Sequence, residues 1–230
     1  MSILSWNCRG LEKASTVRGL LYLVGKSSLL DLFLIETKAV DSRIHKIAKN
    51  LPFDNIGTID AHHSTGSLAL LWSKELDWTV VYKSDWIIEV EAILNNGKVV
   101  NCWFCYCPAK RTLRKDFWQE LVNAVNSGSH IWMCMGDFKD VVSQEEKSMG
   151  QLVNSKSNHY LSNFMLEMGA IDIGYSGYSY TRCNRRWGNA NIQERIDRVI
   201  ASSEWRILFN QAGVVHLPPS GSDHLPIQLF

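Results

Sequence analysis

Close to its end the chain reads Gly221-Ser222-Asp223-His224-Leu225-Pro226, which sets an aspartate beside a histidine at what reads as a strand start. An imidazole works as acid or base near neutral pH when a carboxylate fixes its tautomer. Three earlier fragments also carry polar side chains out of apolar runs: Ser5-Trp6-Asn7, Ile35-Glu36-Thr37 and Gly136-Asp137-Phe138. Together the four strings place one Asn, one Glu, two Asp and one His at strand ends. Hard oxygen ligands next to a proton-handling ring suit a divalent metal and the activation of water against a phosphodiester.

Each residue also has a plainer reading. Glu36 follows an apolar run at 32–35, so its carboxylate emerges at a strand's C-terminal end, where oxygen ligands can gather around Mg²⁺. The same position suits a surface Glu that opens a helix, and Asn7 has the same ambiguity. Asp137 follows the buried-type run 131–136, which places a carboxylate at the edge of a core. There it can carry a raised pKa, bind metal, accept a proton from water, or merely cap the next turn. Tyr106 ends an apolar strand and can equally be one more core aromatic. Cys102, Cys105 and Cys107 lie in one strand, alternate faces and lack a second ligand pair at zinc spacing, so they are expected to pack in the core.

The elements that must position these groups are legible as periodic patterns. Strands are expected at residues 2–6, 31–35, 67–72 and 78–82, and a hairpin at 87–94 and 98–106 around the tight-turn signal Asn95-Asn96-Gly97. Later strands are expected at 130–135, 178–181, 193–200, 212–216 and 226–229. Helical stripes run through Val17, Leu20, Leu21 and Val24, through Leu113, Phe117, Leu121 and Val125, and through Leu161, Phe164, Met165 and Met168, the last closed by Gly169. Strands that do not alternate strictly with helices predict two packed sheets with helices outside, a four-layer α/β/β/α sandwich whose sheets are mainly antiparallel.

With 230 residues, 46% of them hydrophobic, the chain can bury a full core, and no linker or repeat divides it. A single domain over 1–230 is expected, cut close to its edges as if from something longer. Its 24 basic and 23 acidic residues leave a net charge of +1, so attraction to a polyanion must come from local clusters. No apolar run approaches the roughly 18 residues that span a bilayer, which predicts no membrane partner. Six cysteines, mostly inside apolar runs and without a signal peptide ahead of them, predict reduced thiols and an intracellular chain.

Six strings in order, Ser5-Trp6-Asn7, Ile35-Glu36-Thr37, Tyr106-Cys107-Pro108, Gly136-Asp137-Phe138, Arg195-Ile196-Asp197-Arg198 and Ser222-Asp223-His224, resemble the endonuclease/exonuclease/phosphatase family over essentially the whole chain. Asn7-Cys8-Arg9-Gly10-Leu11, Ser143-Gln144-Glu145-Glu146-Lys147 and Arg185-Arg186-Trp187-Gly188 are most similar to endonuclease domains of plant-type non-LTR retrotransposons. The resemblance implies that Glu36, Asn7 and Asp223 hold Mg²⁺ or Mn²⁺, that Asp137 positions or deprotonates water, and that Asp197 partners His224. It also implies that Tyr106 donates a hydrogen bond to the scissile phosphate.

Two departures stand out. Lys139 replaces the motif asparagine that orients nucleophile and phosphate, and an ammonium there could touch phosphate, pair with Asp137 or repel the metal. Arg9 stands where repair-type members carry an acid, a change that retrotransposon members share. His62-His63-Ser64, ahead of Gly66, carries no functional reading.

Arg182, Asn184, Arg185, Arg186 and Trp187 form a basic, aromatic loop, and Lys110, Arg111, Arg114 and Lys115 open the helix after Tyr106. Both clusters are expected on the rim of the strand ends, as a cradle for DNA phosphates with an aromatic to stack on a base, or else as solvated loops. Three readings remain at this stage: a Mg²⁺-dependent DNA-nicking enzyme, monomeric and weakened by Lys139; a non-catalytic remnant that still binds nucleic acid; and a phosphatase for a small or lipid phosphoester.

Overall fold

The computed structural model describes residues 2–60, 67–153 and 159–230, so His62-His63-Ser64 lies outside the described residues. The elements begin with β1 (Ile3–Asn7), α1 (Ala14–Lys26), β2 (Asp31–Ile35), α2 (Asp41–Ala48), β3 (Asn55–Ile59) and β4 (Leu68–Trp72). They continue with β5 (Trp78–Lys83), β6 (Ile87–Ile93), β7 (Val99–Tyr106), α3 (Arg114–Ser127), β8 (Trp132–Asp137), β9 (Lys147–Ser148), α4 (Tyr160–Met168) and β10 (Ile171–Asp172). The last are β11 (Ser176–Gly177), β12 (Arg182–Cys183), β13 (Gln193–Glu194), β14 (Asp197–Ala201), α5 (Ser203–Leu208), β15 (Val214–His216) and β16 (Ile227–Leu229).

The strands form a seven-stranded sheet in the order β11-β15-β16-β1-β2-β4-β3, a six-stranded sheet β10-β14-β8-β7-β6-β5, and a small sheet β12-β13-β9. Most neighbours are antiparallel, and the parallel exceptions fix where chemistry can occur. A parallel pair brings two C-terminal ends to one edge. In β1–β2 this sets Asn7 opposite Ile35, and in β7–β8 it sets Tyr106 opposite Asp137. β14 runs antiparallel to β8 and starts where β8 ends, with Asp197 opposite Asp137.

Strands covered on both faces read as continuous apolar runs, and here side-chain alternation sorts those runs into separate cores. Ile3, Phe33, Ile35 and Leu70 of the first sheet pack with Val90, Phe104, Met133 and Val199 of the second. The intervening Leu4, Trp6, Leu32 and Leu34 pack instead with Leu20, Val24, Ile44 and Ile47 of α1 and α2. On the far side Trp103, Cys105, Trp132 and Cys134 pack with Phe117 and Leu121 of α3 and Phe164 of α4. The result is the expected α/β/β/α order of layers. Gly97 at φ +78 turns the predicted hairpin, and Gly169 caps α4 in the left-handed conformation.

Several local expectations are corrected. Residues 178–181 form no strand, because Gly177 at φ +89 turns the chain and the Thr181 hydroxyl accepts from the Ile196 and Asp197 amides. The expected strand 193–200 breaks into β13 and β14, since the side chain of the intervening Arg195 reaches Glu146 and Asp172. The strand after α3 starts at Trp132 and not at His130. Leu21 faces solvent, while Leu23 takes the buried place in α1. The helices α2 and α5, the edge strand β3 and the strands β9 and β12 of the small sheet had no expected counterpart. No helix among the described residues is long and apolar enough to cross a membrane.

Candidate active site

Asn7, Tyr106 and Asp137 are the last residues of β1, β7 and β8, and Glu36 follows β2 directly. Gly136 makes the approach possible: its φ is +148, and a Cβ there would fall 1.9 Å from the Cys105 carbonyl oxygen of β7. Around these strand ends the backbone is bent. Arg9, Glu36, Lys38 and Lys139 all have φ between +47° and +55°, a left-handed conformation that costs roughly 1–2 kcal/mol for a residue with a side chain. Such strain persists only where surrounding contacts hold it.

Asn7 is the hub. Its Nδ2 donates to Glu36 Oε1 at 3.0 Å and to Asp137 Oδ2 at 2.9 Å, joining a carboxylate of the first sheet to one of the second. The Tyr106 hydroxyl donates to Glu36 Oε1 at 3.2 Å. Burial, and then the charges of Glu36 and Asp137, push the Tyr106 phenol far up, so it stays a donor.

His224 is fully buried, with Nδ1 2.9 Å from Asp197 Oδ2 and 3.9 Å from Asp137 Oδ2. Sequence reading placed these two motifs together, and the residues that seat them are new. The Ser222 hydroxyl donates to the Asn7 carbonyl and accepts from the His224 amide, while Trp6 Nε1 donates to the His224 carbonyl. Thr181 holds the Asp197 amide, and nothing in its sequence context marked it. His224 Nε2 is buried without a partner among the described residues.

Cations fill the spaces between the acids. Lys139 Nζ lies 2.5 Å from Asp137 Oδ2 and 3.7 Å from Glu36 Oε1, above the Tyr106 ring. Lys38 Nζ is 3.2 Å from Glu36 Oε2, and Arg9 reaches both Glu36 and Asp223. Burial alone would raise the Glu36 carboxyl, but Lys139, Asn7, Arg9 and Lys38 outweigh it and hold the group below its usual range. Asp137 likewise ends low, with burial overcome by Lys139, His224 and Asn7. Burial and the Asp137 charge keep Asp197 above the usual range despite His224. The two neighbouring carboxyls are thereby shifted in opposite directions.

The oxygen donors expected around a metal are present at one edge. Asn7 Oδ1 is a buried acceptor without a partner among the described residues, and Glu36 and Asp223, both reached by the Arg9 guanidinium, add further hard oxygens, so the donor chemistry fits a divalent ion. The tightest acid and histidine cluster among the described residues is a different one, Asp137, Asp197 and His224, whose ligand atoms lie within 4.8 Å of one another. That group could also hold a metal, though His224 and Lys139 already engage its oxygens.

The predicted nucleic-acid residues divide in two. Arg182 pairs with Glu194 at 2.9 Å and lies 3.9 Å from Asp223, while Asn184 spends its side chain on Ala190, Arg186 and Ile192 within its own loop. Arg185 donates to the Ser222 carbonyl. These contacts tie the β12–β13 hairpin to the His224 segment, where Cys183 N donates to the Asp223 carbonyl at 2.9 Å. Arg186 and Trp187 remain exposed at the tip, Trp187 at 95%. Arg111 is exposed on the turn before α3, and Arg114 donates to the Lys139 carbonyl from the same turn.

Two sheets with strand ends converging on Asn, Glu, Tyr, Asp and an Asp–His pair define the endonuclease/exonuclease/phosphatase fold, and solved structures agree. The endonuclease domain of TRAS1, a telomere-specific non-LTR retrotransposon, superposes with a TM-score of 0.71 at 12% identity, covering 99% of this chain and 96% of that one. An AP endonuclease from Leishmania major gives 0.75 at 15% identity, covering 99% and 86%. The 3′ phosphatase NExo from Neisseria, bound to a product DNA hairpin, gives 0.68 at 14% identity, covering 100% and 98%. No protein-family model matches the sequence, and no curated protein matches it.

Proposed function

We propose that this chain is a divalent-metal-dependent phosphodiesterase that nicks DNA, of retrotransposon-endonuclease type, with a rate lowered by Lys139. The observation that carries the reading is the Asn7 amide holding Glu36 and Asp137 together at the meeting edge of the two sheets, beside a buried Asp197–His224 pair. The similarity to TRAS1 and to an AP endonuclease supports it. Glu36, Asn7 and Asp223 would hold the ion, Mg²⁺ or Mn²⁺, which supplies Lewis-acid stabilisation of charge on the phosphate. Asp137 positions the attacking water and takes its proton. The Tyr106 O–H donates to a phosphate oxygen. His224, with Nδ1 engaged by Asp197, turns Nε2 to the same phosphate. Arg111, Arg186 and Trp187 are exposed, and Arg185 ties the β12–β13 hairpin to the His224 segment, which supports a polymer such as DNA over a small phosphoester.

Lys139 opposes this chemistry by lowering the basicity of Asp137 and occupying its oxygen, and it brings no neutral amide. Losing one preorganised donor typically costs about 100- to 1,000-fold in rate. A second reading, a non-catalytic remnant that binds nucleic acid, is favoured by the same ion pairs, since Glu36, Asp137 and Asp223 each already have a cation at hand. Plasmid nicking in Mg²⁺ with an EDTA control separates the two. Nicking that EDTA stops, and that Glu36→Ala abolishes, supports the enzyme; no nicking at any Mg²⁺ or Mn²⁺ concentration supports the remnant.

A further inference from the structure

One guanidinium touches both carboxylates assigned to the metal. Arg9 Nη1 lies 3.6 Å from Glu36 Oε2, and Nε lies 3.1 Å from Asp223 Oδ1. No aligned hydrogen bond accompanies the Nε contact, so the group is held by charge more than by directed bonds. The side chain keeps 35% of its exposure and has solvent to move into. The left-handed backbone of Arg9, at φ +55 and followed by Gly10 at φ +115, folds the side chain back over the strand ends.

A divalent ion shared by Glu36 and Asp223 needs their oxygens within about 2.0–2.6 Å. Lys38 also approaches Glu36 Oε2, at 3.2 Å, but of these two cations Arg9 is the one that also meets Asp223, so the seat between the two acids cannot hold both the guanidinium and an ion. Screened by a guanidinium, the two acids also keep their places without an ion, because each negative charge already has a counter-charge.

We infer that Arg9 is a built-in occupant of the seat between Glu36 and Asp223, that metal binding requires the guanidinium to swing out, and that competition between the two sets the metal affinity. The inference rests on the metal-site reading proposed above. It differs from the Lys139 effect, which acts on Asp137 and on the rate.

Mn²⁺ binding measured by electron paramagnetic resonance and calorimetry tests it, using wild type, Arg9→Asn, Arg9→Lys and the double variant Arg9→Asn/Glu36→Gln. Asn tolerates the left-handed backbone, and Lys keeps the charge should the Asn variant fold poorly. Arg9→Asn is expected to bind one Mn²⁺ at least about tenfold tighter than wild type, Arg9→Lys to fall between, and the double variant to lose binding. Mn²⁺ should also raise the Tm of Arg9→Asn more than that of wild type. Equal affinity in wild type and Arg9→Asn, lost on Glu36→Gln, overturns the competition and leaves the metal site standing. Absence of Mn²⁺ binding in every variant, together with nicking insensitive to EDTA, overturns both.

Discussion

Lys139 Nζ sits 2.5 Å from Asp137 Oδ2, close enough that the ammonium and the carboxylate behave as one unit. The pair exists because Lys139 adopts φ +51, which curls its side chain back over the residue two positions earlier. Asn7 donates to the same Asp137 oxygen, so little lone-pair capacity is left there for a water molecule.

Replacing Lys139 by Asn restores a neutral amide and frees Asp137. Plasmid nicking in Mg²⁺ is expected to rise by at least about tenfold, equivalent to about 1.4 kcal/mol of barrier. Glu36→Ala in that background should bring it back to nothing. A wild type that nicks as fast as Lys139→Asn contradicts the assigned role of the lysine.

Asp197 holds the His224 ring from a buried position. Asp197→Asn keeps the shape but removes the charge beside Nδ1. A positioned acid–base group contributes typically about 100- to 10,000-fold, so nicking by the variant should fall at least about 100-fold while its circular dichroism stays unchanged. A loss under threefold would remove Asp197 from the chemistry.

Trp187, exposed at the tip of the β12–β13 hairpin, contributes nothing to the core. Base–aromatic stacking is worth roughly 1–3 kcal/mol. Trp187→Ala should therefore weaken binding of a DNA oligonucleotide at least about fivefold, with Tm unaltered. Fluorescence anisotropy at fixed salt measures it, and unchanged affinity would assign the loop to solvent.

Asp31 offers a test away from the site. Its carboxyl is fully buried at the start of β2, neither oxygen has a partner among the described residues, and burial pushes its pKa well above the usual range. The folded protein thus keeps a proton that the unfolded chain releases near the ordinary aspartate value of about 3.9. Stability from this group is full below that value and falls as pH rises towards the raised folded value. Asp31→Asn should flatten this slope and raise Tm at pH 8 relative to wild type. Thermal unfolding from pH 5 to pH 8 decides, and parallel curves for the two proteins would reject the account.

The parts of the molecule that were legible in the sequence share a physical cause. Strands covered on both faces leave unbroken apolar runs, and the polar residue at the end of each run, Asn7, Glu36 or Asp137, marks where the two sheets bring strand ends together, although all three are themselves buried. The hairpin at Gly97 and the cap at Gly169 were legible because a left-handed turn favours glycine. What stayed hidden depends on contacts distant in sequence. Thr181 seats Asp197, and Arg195 leaves the expected strand for Glu146 and Asp172. Arg9 stood out only as a departure from the family motif and Lys38 did not stand out at all, and only the fold shows that both face Glu36.

β16 lies between β15 and β1, in the interior of the seven-stranded sheet, and the His224 segment just ahead of it is pinned to Asn7 through Ser222. The site therefore joins residues more than 200 positions apart and can form only once the C-terminal strand has slotted beside the first. Long-range pairing of this kind is slow to form. Until β16 has paired with β1, Glu36 and Asp137 have no histidine held against them, so assembly of the proposed site is tied to closure of the seven-stranded sheet.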